Sequence, residues 1–229
     1  MTEKRVYNFS AGPSMLPVAV LEKAAKQMLN YEGSGMSVME MSHRSSSYLD
    51  IFEKTKGLLK KVMNVPENYK IVFIQGGATQ QFSMVPLNLL KNGKADYAIT
   101  GAFSKKAAAE AKKYGDIHIV YDGSSNDFKH IPTQDELDLS KDASYLHICA
   151  NNTIYGTKYK TLPNTKGKIL VSDVSSCFLS EPMDIEKYGI VYGGVQKNVG
   201  PAGLVIAIIR EDLITEDVLP GTPTMLTYK

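Results

Sequence analysis

The strongest fold signal in this chain lies in residues 190–209, which read IVYGGVQKNVGPAGLVIAII. Two apolar runs flank a glycine-rich loop that carries a single lysine, Lys197. Runs that are apolar at successive positions, rather than at every second one, are typical of strands covered on both faces. This stretch therefore predicts two buried strands of an α/β sheet, joined by a lysine-bearing loop.

Apolar runs alternate with amphipathic ones through the rest of the chain. Further strands are predicted at residues 70–74, 96–100, 117–121, 145–149 and 168–171. Helices are predicted at residues 15–31, 46–64, from about 78 onward, and at 105–114. This alternation predicts an α/β fold: a mostly parallel sheet of the seven-stranded type between helix layers, with the strands' carboxyl ends and the loops that leave them along one edge. The most polar stretch, 122–143, is predicted to be a surface excursion.

Composition narrows the possible classes of function. The 229 residues include 26 Lys and Arg against 24 Asp and Glu, a net charge of +2, so the basic excess of a nucleic-acid-binding protein is missing. No run approaches the 18 apolar residues of a membrane span, and no apolar signal segment follows the first residues. The two cysteines, Cys149 and Cys177, lie in apolar runs and predict buried thiols in a reducing compartment. We therefore expect a cytoplasmic protein without nucleic-acid or membrane partners.

Three loops that follow predicted strands carry residues suited to chemistry. Residues 75–82, QGGATQQF, place two glycines at a helix start, where free N–H groups can bind an anion. Asp173 ends a strand, where a buried carboxylate requires a cation or several donors. Lys197 offers an amine that can condense with an aldehyde. Each has a structural alternative: a tight turn with a threonine cap, a helix-capping aspartate and a solvated lysine.

Considered together, an anion site, a buried acid and a reactive amine match the phosphate, ring nitrogen and aldehyde of pyridoxal 5′-phosphate (PLP). Two more loops suit the same ring. Phe103 offers an aromatic face for stacking, and residues 150–157, ANNTIYGT, offer amides and hydroxyls for the phenolic oxygen. The histidines lack ligand-like spacing, and His147 is predicted to lie in the core, so no metal site is expected. The pattern predicts a PLP-dependent enzyme.

Motifs along nearly the whole chain resemble those of the phosphoserine aminotransferase family, PLP-dependent class-V transaminases of fold type I in the aspartate aminotransferase superfamily. The matching stretches are YNFSAGP (7–13), MSHRS (41–45), GGATQQF (76–82), NNT (151–153), DVSS (173–176) and QKNVGPAG (196–203). The run around Lys197 is the most specific of them. The resemblance implies that residues 1–229 form the PLP-binding large domain with an N-terminal segment, and that the C-terminal small domain of the family is largely absent.

The resemblance also implies a role for individual residues around the cofactor. Lys197 is expected to bond the cofactor aldehyde, and Asp173 to face the pyridine nitrogen. Three residues are expected to bind the phosphate: Ala78, Thr79 and Gln196. Thr153 is expected to contact the phenolic oxygen. Phe103 stands where the family usually has a tryptophan, so we expect ring stacking over a smaller area and weaker cofactor binding.

For the substrate, the resemblance implies that His43 and Arg44 receive an acidic molecule. The expected reaction transfers the amino group between L-glutamate and 3-phosphohydroxypyruvate, giving O-phospho-L-serine and 2-oxoglutarate in L-serine biosynthesis. Family members are homodimers with the site at the interface. Two alternatives remain open: an alanine–glyoxylate-type aminotransferase of the same fold, and a PLP-binding fragment that is inactive without its C-terminal domain. A cysteine desulfurase is disfavoured by Phe103 and by the buried cysteines.

Overall fold

One seven-stranded sheet organises residues 5–229, the part of the chain that the computed structural model describes. Its strands, in chain order, are β1 (Tyr69–Gln75), β2 (Lys94–Ile99), β3 (Asp116–Asp122), β4 (Tyr145–Cys149), β5 (Ile169–Asp173), β6 (Ile190–Gly194) and β7 (Leu204–Arg210). Across the sheet their order is β1-β7-β6-β5-β4-β2-β3. All seven predicted strands are therefore present, and each overlaps its predicted range.

Strand direction divides the sheet into two parts. From β3 through β2, β4 and β5 to β6, every neighbouring pair is parallel. Strand β7 runs antiparallel to both of its neighbours, β6 and β1. The loop between β6 and β7, residues 195–203, is too short for a parallel crossover, which takes a dozen or more residues. The prediction of a mostly parallel sheet is confirmed, and the short lysine-bearing loop is what reverses β7.

Four α-helices accompany the strands within the described residues: α1 (Val18–Gln27), α2 (Ser46–Val62), α3 (Gln81–Leu89) and α4 (Ala102–Ala111). Helix α1 is shorter than the predicted 15–31. Pro17 precedes its first residue, and Asn30 has an extended backbone that ends helical continuation before Gly33. No helix within residues 5–229 is long and apolar enough to cross a membrane.

Both faces of the central strands are buried, as their continuous apolar runs predict. In β7, Ile206 and Ile208 belong to the core on one face of the sheet, and Ala207 and Ile209 to the core on the other. Helices α3 and α4 contribute to the second core. The first includes Leu59 of α2 and apolar side chains from the turns between residues 174 and 188. This packing leaves the carboxyl ends of the parallel strands as the edge on which loops can build a site.

Candidate active site

A cavity of about 120 Å³ opens at the edge where the parallel strands end. Its walls come from the loops after β1, β2, β4, β5 and β6, which the parallel arrangement brings to one place. All seven residues predicted to contact the cofactor line it: Ala78, Thr79, Phe103, Thr153, Asp173, Gln196 and Lys197. The tertiary structure thus assembles the predicted set, while the role of each residue stays a prediction.

Lys197 lies half-buried in the loop after β6, with its amine directed into the cavity wall. Its Nζ donates a hydrogen bond to Thr153 Oγ1 and lies 5.2 Å from the centroid of the Phe103 ring. Burial lowers the pKa of Lys197, and the nearby Asp173 carboxylate opposes that shift less strongly. A lysine with a lowered pKa is more often neutral, which is the form that attacks a carbonyl carbon. The solvated-lysine alternative does not describe this residue.

Asp173 is buried at the end of β5, and one of its two carboxylate oxygens is already occupied. The Ser175 backbone N–H and hydroxyl donate to Oδ1 at 2.9 and 2.6 Å, and the Gly194 N–H donates to the Ser175 hydroxyl at 3.0 Å. Burial raises the pKa of Asp173, while the Ser175 hydrogen bonds and Lys197 act in the opposite direction. No side chain or backbone group within residues 5–229 donates to Oδ2. Ser175 was not singled out from the sequence, although its place two residues after an aspartate is the signal of such a turn.

The turn after β1 has the geometry of a backbone anion site. Gly76 has a φ of +114°, which glycine adopts without strain, and its N–H donates to the Gly203 carbonyl at 2.9 Å. A short helical turn, Ala78–Gln80, follows and leads directly into α3. The cap position is Gly77, so the alternative of a threonine cap is wrong. The first N–H groups of this turn have no preceding carbonyl to bond, and they lie at the cavity wall.

The N-terminal segment also contacts the lysine loop, which sequence reasoning did not anticipate. The Ser14 N–H donates to the Gln196 carbonyl at 2.9 Å, and the Ser14 hydroxyl donates to the Lys197 carbonyl. A Cβ added to Gly12 would lie 2.9 Å from Lys197 Cγ. The YNFSAGP motif ends at Pro13, immediately before this serine, but its spacing along the chain gave no indication of the contact.

His43 and Arg44 lie elsewhere. Both are exposed in the turn before α2, and neither lines the cavity. His147 is buried, as predicted: its ring stacks on Tyr97 with centroids 4.7 Å apart, and its Nε2 lies 2.8 Å from the Tyr192 hydroxyl. Burial lowers the pKa of His147 to about 3.

Both cysteines are buried, as predicted, and Cys149 also forms part of the cavity wall. Within the described residues, no group of three His, Cys, Asp or Glu side chains could hold a metal ion.

Comparison with known proteins places this fold and site in a class. The family model for aminotransferase class-V matches residues 6–227, and the chain belongs to that family.

Its relatives include the phosphoserine aminotransferase of Nitrosomonas europaea, which is 48% identical over 99% of this chain and 64% of that protein. The structure of phosphoserine aminotransferase from Bacillus circulans subsp. alkalophilus is similar with a TM-score of 0.93 and 43% identity, over 98% of this chain and 62% of that one. The PLP-bound phosphoserine aminotransferase from Trichomonas vaginalis gives a TM-score of 0.92 and 38% identity, over 98% of this chain and 63% of that one. The chain spans less than two thirds of the length of these relatives.

Proposed function

We propose that this chain binds PLP and serves phosphoserine transamination, moving the amino group between L-glutamate and 3-phosphohydroxypyruvate to give 2-oxoglutarate and O-phospho-L-serine for serine biosynthesis. Residues 1–229 form the cofactor-binding domain in this proposal, and the working protein is a cytoplasmic homodimer. The proposal depends on one observation: a single cavity contains three groups that suit PLP. They are the Lys197 amine, the buried Asp173 carboxylate with only Oδ1 hydrogen-bonded, and the N–H groups that begin the turn at Ala78. The similarity to phosphoserine aminotransferases over 99% of the chain supports the choice of reaction.

The donor and acceptor groups of the cavity fit PLP. Asp173 Oδ2 is an acceptor without a protein partner, and a protonated ring nitrogen would compensate its burial. The N–H groups of Ala78 and Thr79 suit a phosphate, which accepts several hydrogen bonds at a helix start. Phe103 presents an aromatic side chain at the same cavity. When bound, PLP supplies an electron-accepting ring and an aldehyde carbon for amino-group transfer.

Lys197 then has two tasks that its surroundings favour. Its lowered pKa favours the neutral amine that the bond to the aldehyde would require, and the same amine would accept the proton from the substrate Cα. The hydroxyl of Thr153 holds the amine through their hydrogen bond and thereby limits its reach. Asp173 would hold the ring nitrogen and keep it protonated, because a buried carboxylate gains most from a cationic partner.

His43 and Arg44 would receive the acidic substrate. A guanidinium binds a carboxylate or phosphate with two parallel hydrogen bonds, and the Arg44 side chain is exposed. Because these two residues do not line the cavity of their own chain, the proposal assigns them to the substrate side of the homodimer, where the interface completes the site.

The test is reconstitution of the 229-residue chain with PLP, followed by absorbance titration and amino-acid half-reactions. We expect the absorbance band of added PLP to shift on binding, to be lost with L-glutamate and to be restored by 3-phosphohydroxypyruvate. Restoration by glyoxylate after L-alanine would favour the alanine–glyoxylate alternative. A shifted band that no amino acid changes would identify a binding fragment without turnover, and a band that stays at the position of free PLP would contradict the proposal.

A further inference from the structure

The last residues of the chain fold back on α3 and bond it near both ends. Near the carboxyl end of α3, the Asn88 side-chain amide donates to the Leu226 carbonyl at 2.8 Å, and the Tyr228 N–H donates to Asn88 Oδ1 at 3.0 Å. At the start of α3, the Tyr228 hydroxyl donates to Gln81 Oε1 at 2.7 Å. All three side chains of Gln81, Asn88 and Tyr228 are buried. Residues 226–228 therefore bond α3 near both of its ends.

Gln81 connects this contact to the candidate phosphate turn. It is the first residue of α3, and its backbone N–H donates to the carbonyls of Ala78 and Thr79. Its side chain is fully buried, and its Nε2 contacts only the weak acceptor Met84 Sδ, at 3.1 Å, among the described residues. The Tyr228 hydroxyl is thus the strong hydrogen-bond partner of a residue whose backbone closes the turn.

An apolar side chain would fill the position of Gln81 at lower cost, because a buried amide must find partners to offset its desolvation. The rest of α3 is mostly apolar and buried, so packing alone could hold it against the sheet. What a hydrogen bond adds is direction: it fixes the distance and angle between two groups, whereas apolar contact tolerates small shifts. This polar pair therefore controls the placement of the turn more than the stability of the core.

We propose that Tyr228, acting through Gln81, is a positioning residue that holds the Ala78–Thr79 turn in the conformation that binds the cofactor phosphate. The proposal rests on the proposed function for the identity of the ligand. Its consequence is specific: loss of the Tyr228 hydroxyl should weaken binding of the phosphate group while leaving binding of the ring unchanged.

The binding experiment compares PLP with pyridoxal, which lacks the phosphate, by absorbance titration of the 229-residue chain. Tyr228→Phe and Gln81→Met should each weaken PLP binding about fivefold, as for a lost buried hydrogen bond, without changing pyridoxal binding. The double variant should be no weaker than either single one. The matched control is Tyr97→Phe, since the Tyr97 hydroxyl is also buried and lies 2.8 Å from the Tyr145 hydroxyl in the same core. The proposal is overturned if PLP and pyridoxal weaken together, or if neither changes.

A second measurement does not depend on PLP. Hydrogen–deuterium exchange of the hydrogen-bonded Gln80 and Gln81 amides in the ligand-free chain should become faster in Tyr228→Phe and stay unchanged in Tyr97→Phe. Unchanged exchange in Tyr228→Phe would overturn the positioning role even if the wild-type chain binds PLP. Failure of the wild-type chain to bind PLP, with faster exchange in the variant, would instead contradict the proposed function and leave the hold on the turn established.

Discussion

Helices α1 and α3 have nearly the same length, ten and nine residues, but the chain uses them differently. Eight residues of α3 are buried, including the polar Gln81 and Asn88, whereas α1 has no buried residue. The apolar side chains of α1, such as Val18 and Val20, remain about half exposed within the described chain. Two helices of similar length therefore differ in their surroundings: the rest of the protein buries most of α3, whereas most of α1 stays exposed to solvent.

The same contrast between buried and exposed surroundings separates the predicted cofactor residues from the predicted substrate residues. The predicted cofactor residues lie at strand ends and on the loops and helix starts that follow buried strands, while His43 and Arg44 lie in the mostly exposed N-terminal region, residues 5–45. Ser14 connects the two through its bonds to the backbone of the lysine loop. A site built in this way should respond to mutations in the two regions in different ways, and four experiments can test that difference.

The largest expected effect is the loss of covalent PLP binding when Lys197, in the loop after β6, is replaced. Lys197→Ala should abolish the shift of the PLP absorbance band on binding, because no other amine within residues 5–229 lines the cavity to form the covalent bond. Lys106→Ala is the matched control, since Lys106 also lies over the Phe103 ring, 5.7 Å from its centroid, but outside the cavity. A shift that persists in Lys197→Ala would remove this residue from the proposed role.

Next is a matched pair of leucines that measures the difference in packing. Leu89 of α3 is 2% exposed and Leu29, just beyond α1, is 85% exposed. Leu89→Ala should lower the free energy of unfolding by about 2–5 kcal/mol, through lost burial and a residual cavity. Leu29→Ala should change it by about 0.5 kcal/mol or less, as for most surface positions. Urea unfolding of the cofactor-free chain provides both values, and equal losses would contradict the comparison.

In the N-terminal region, a mutation should affect substrate binding rather than cofactor binding. Arg44→Ala should raise the KM for 3-phosphohydroxypyruvate about tenfold, the scale of a lost charge-assisted hydrogen bond, and leave PLP affinity unchanged. Arg5→Ala, which also removes an exposed arginine from this region, is the control and should leave KM unchanged. Identical kinetics for the two variants would exclude Arg44 from the substrate site.

The smallest effect concerns stability and its dependence on pH. Because burial raises the pKa of Asp173 above its unfolded value, the ionised carboxylate destabilises the cofactor-free fold. This destabilisation is absent at pH values below the pKa of Asp173 in the unfolded chain. It develops as the pH rises from there through the pKa of Asp173 in the folded chain. Asp173→Asn should therefore stabilise the cofactor-free chain at neutral pH, by less than Leu89→Ala destabilises it, and flatten the acidic part of the curve.

Thermal unfolding of the wild type and of Asp173→Asn across the acidic range tests this expectation. A variant that is less stable than the wild type at neutral pH would show that the Ser175 hydrogen bonds to Asp173 outweigh its desolvation.

Much of the architecture was predictable from local pattern. Apolar runs, several of them continuous, identified the seven strands of residues 5–229, and the glycines of residues 75–82 identified the turn before α3. The end of α1 was not predictable from the spacing of its apolar residues, because that spacing continues past the point where Asn30 turns extended. The position of Arg44 outside the cavity was likewise not predictable from the sequence. A motif shows which residues are neighbours in the chain, but not where the folded backbone places them.

Strand placement, the residues at strand ends and the burial of His147 follow from the order of amino acids, because hydrophobic periodicity and turn chemistry act over a few residues. The contacts that shape the site do not. Ser14 and Lys197 are 183 positions apart, and Tyr228 and Gln81 are 147 apart. Whether such pairs meet depends on how the sheet and helices pack as a whole. Local sequence preferences act over a few residues and do not determine contacts between residues so far apart in the chain. The amino-acid order thus determined which groups stand at the sheet edge, and the tertiary structure alone decided which of them hold one another in place.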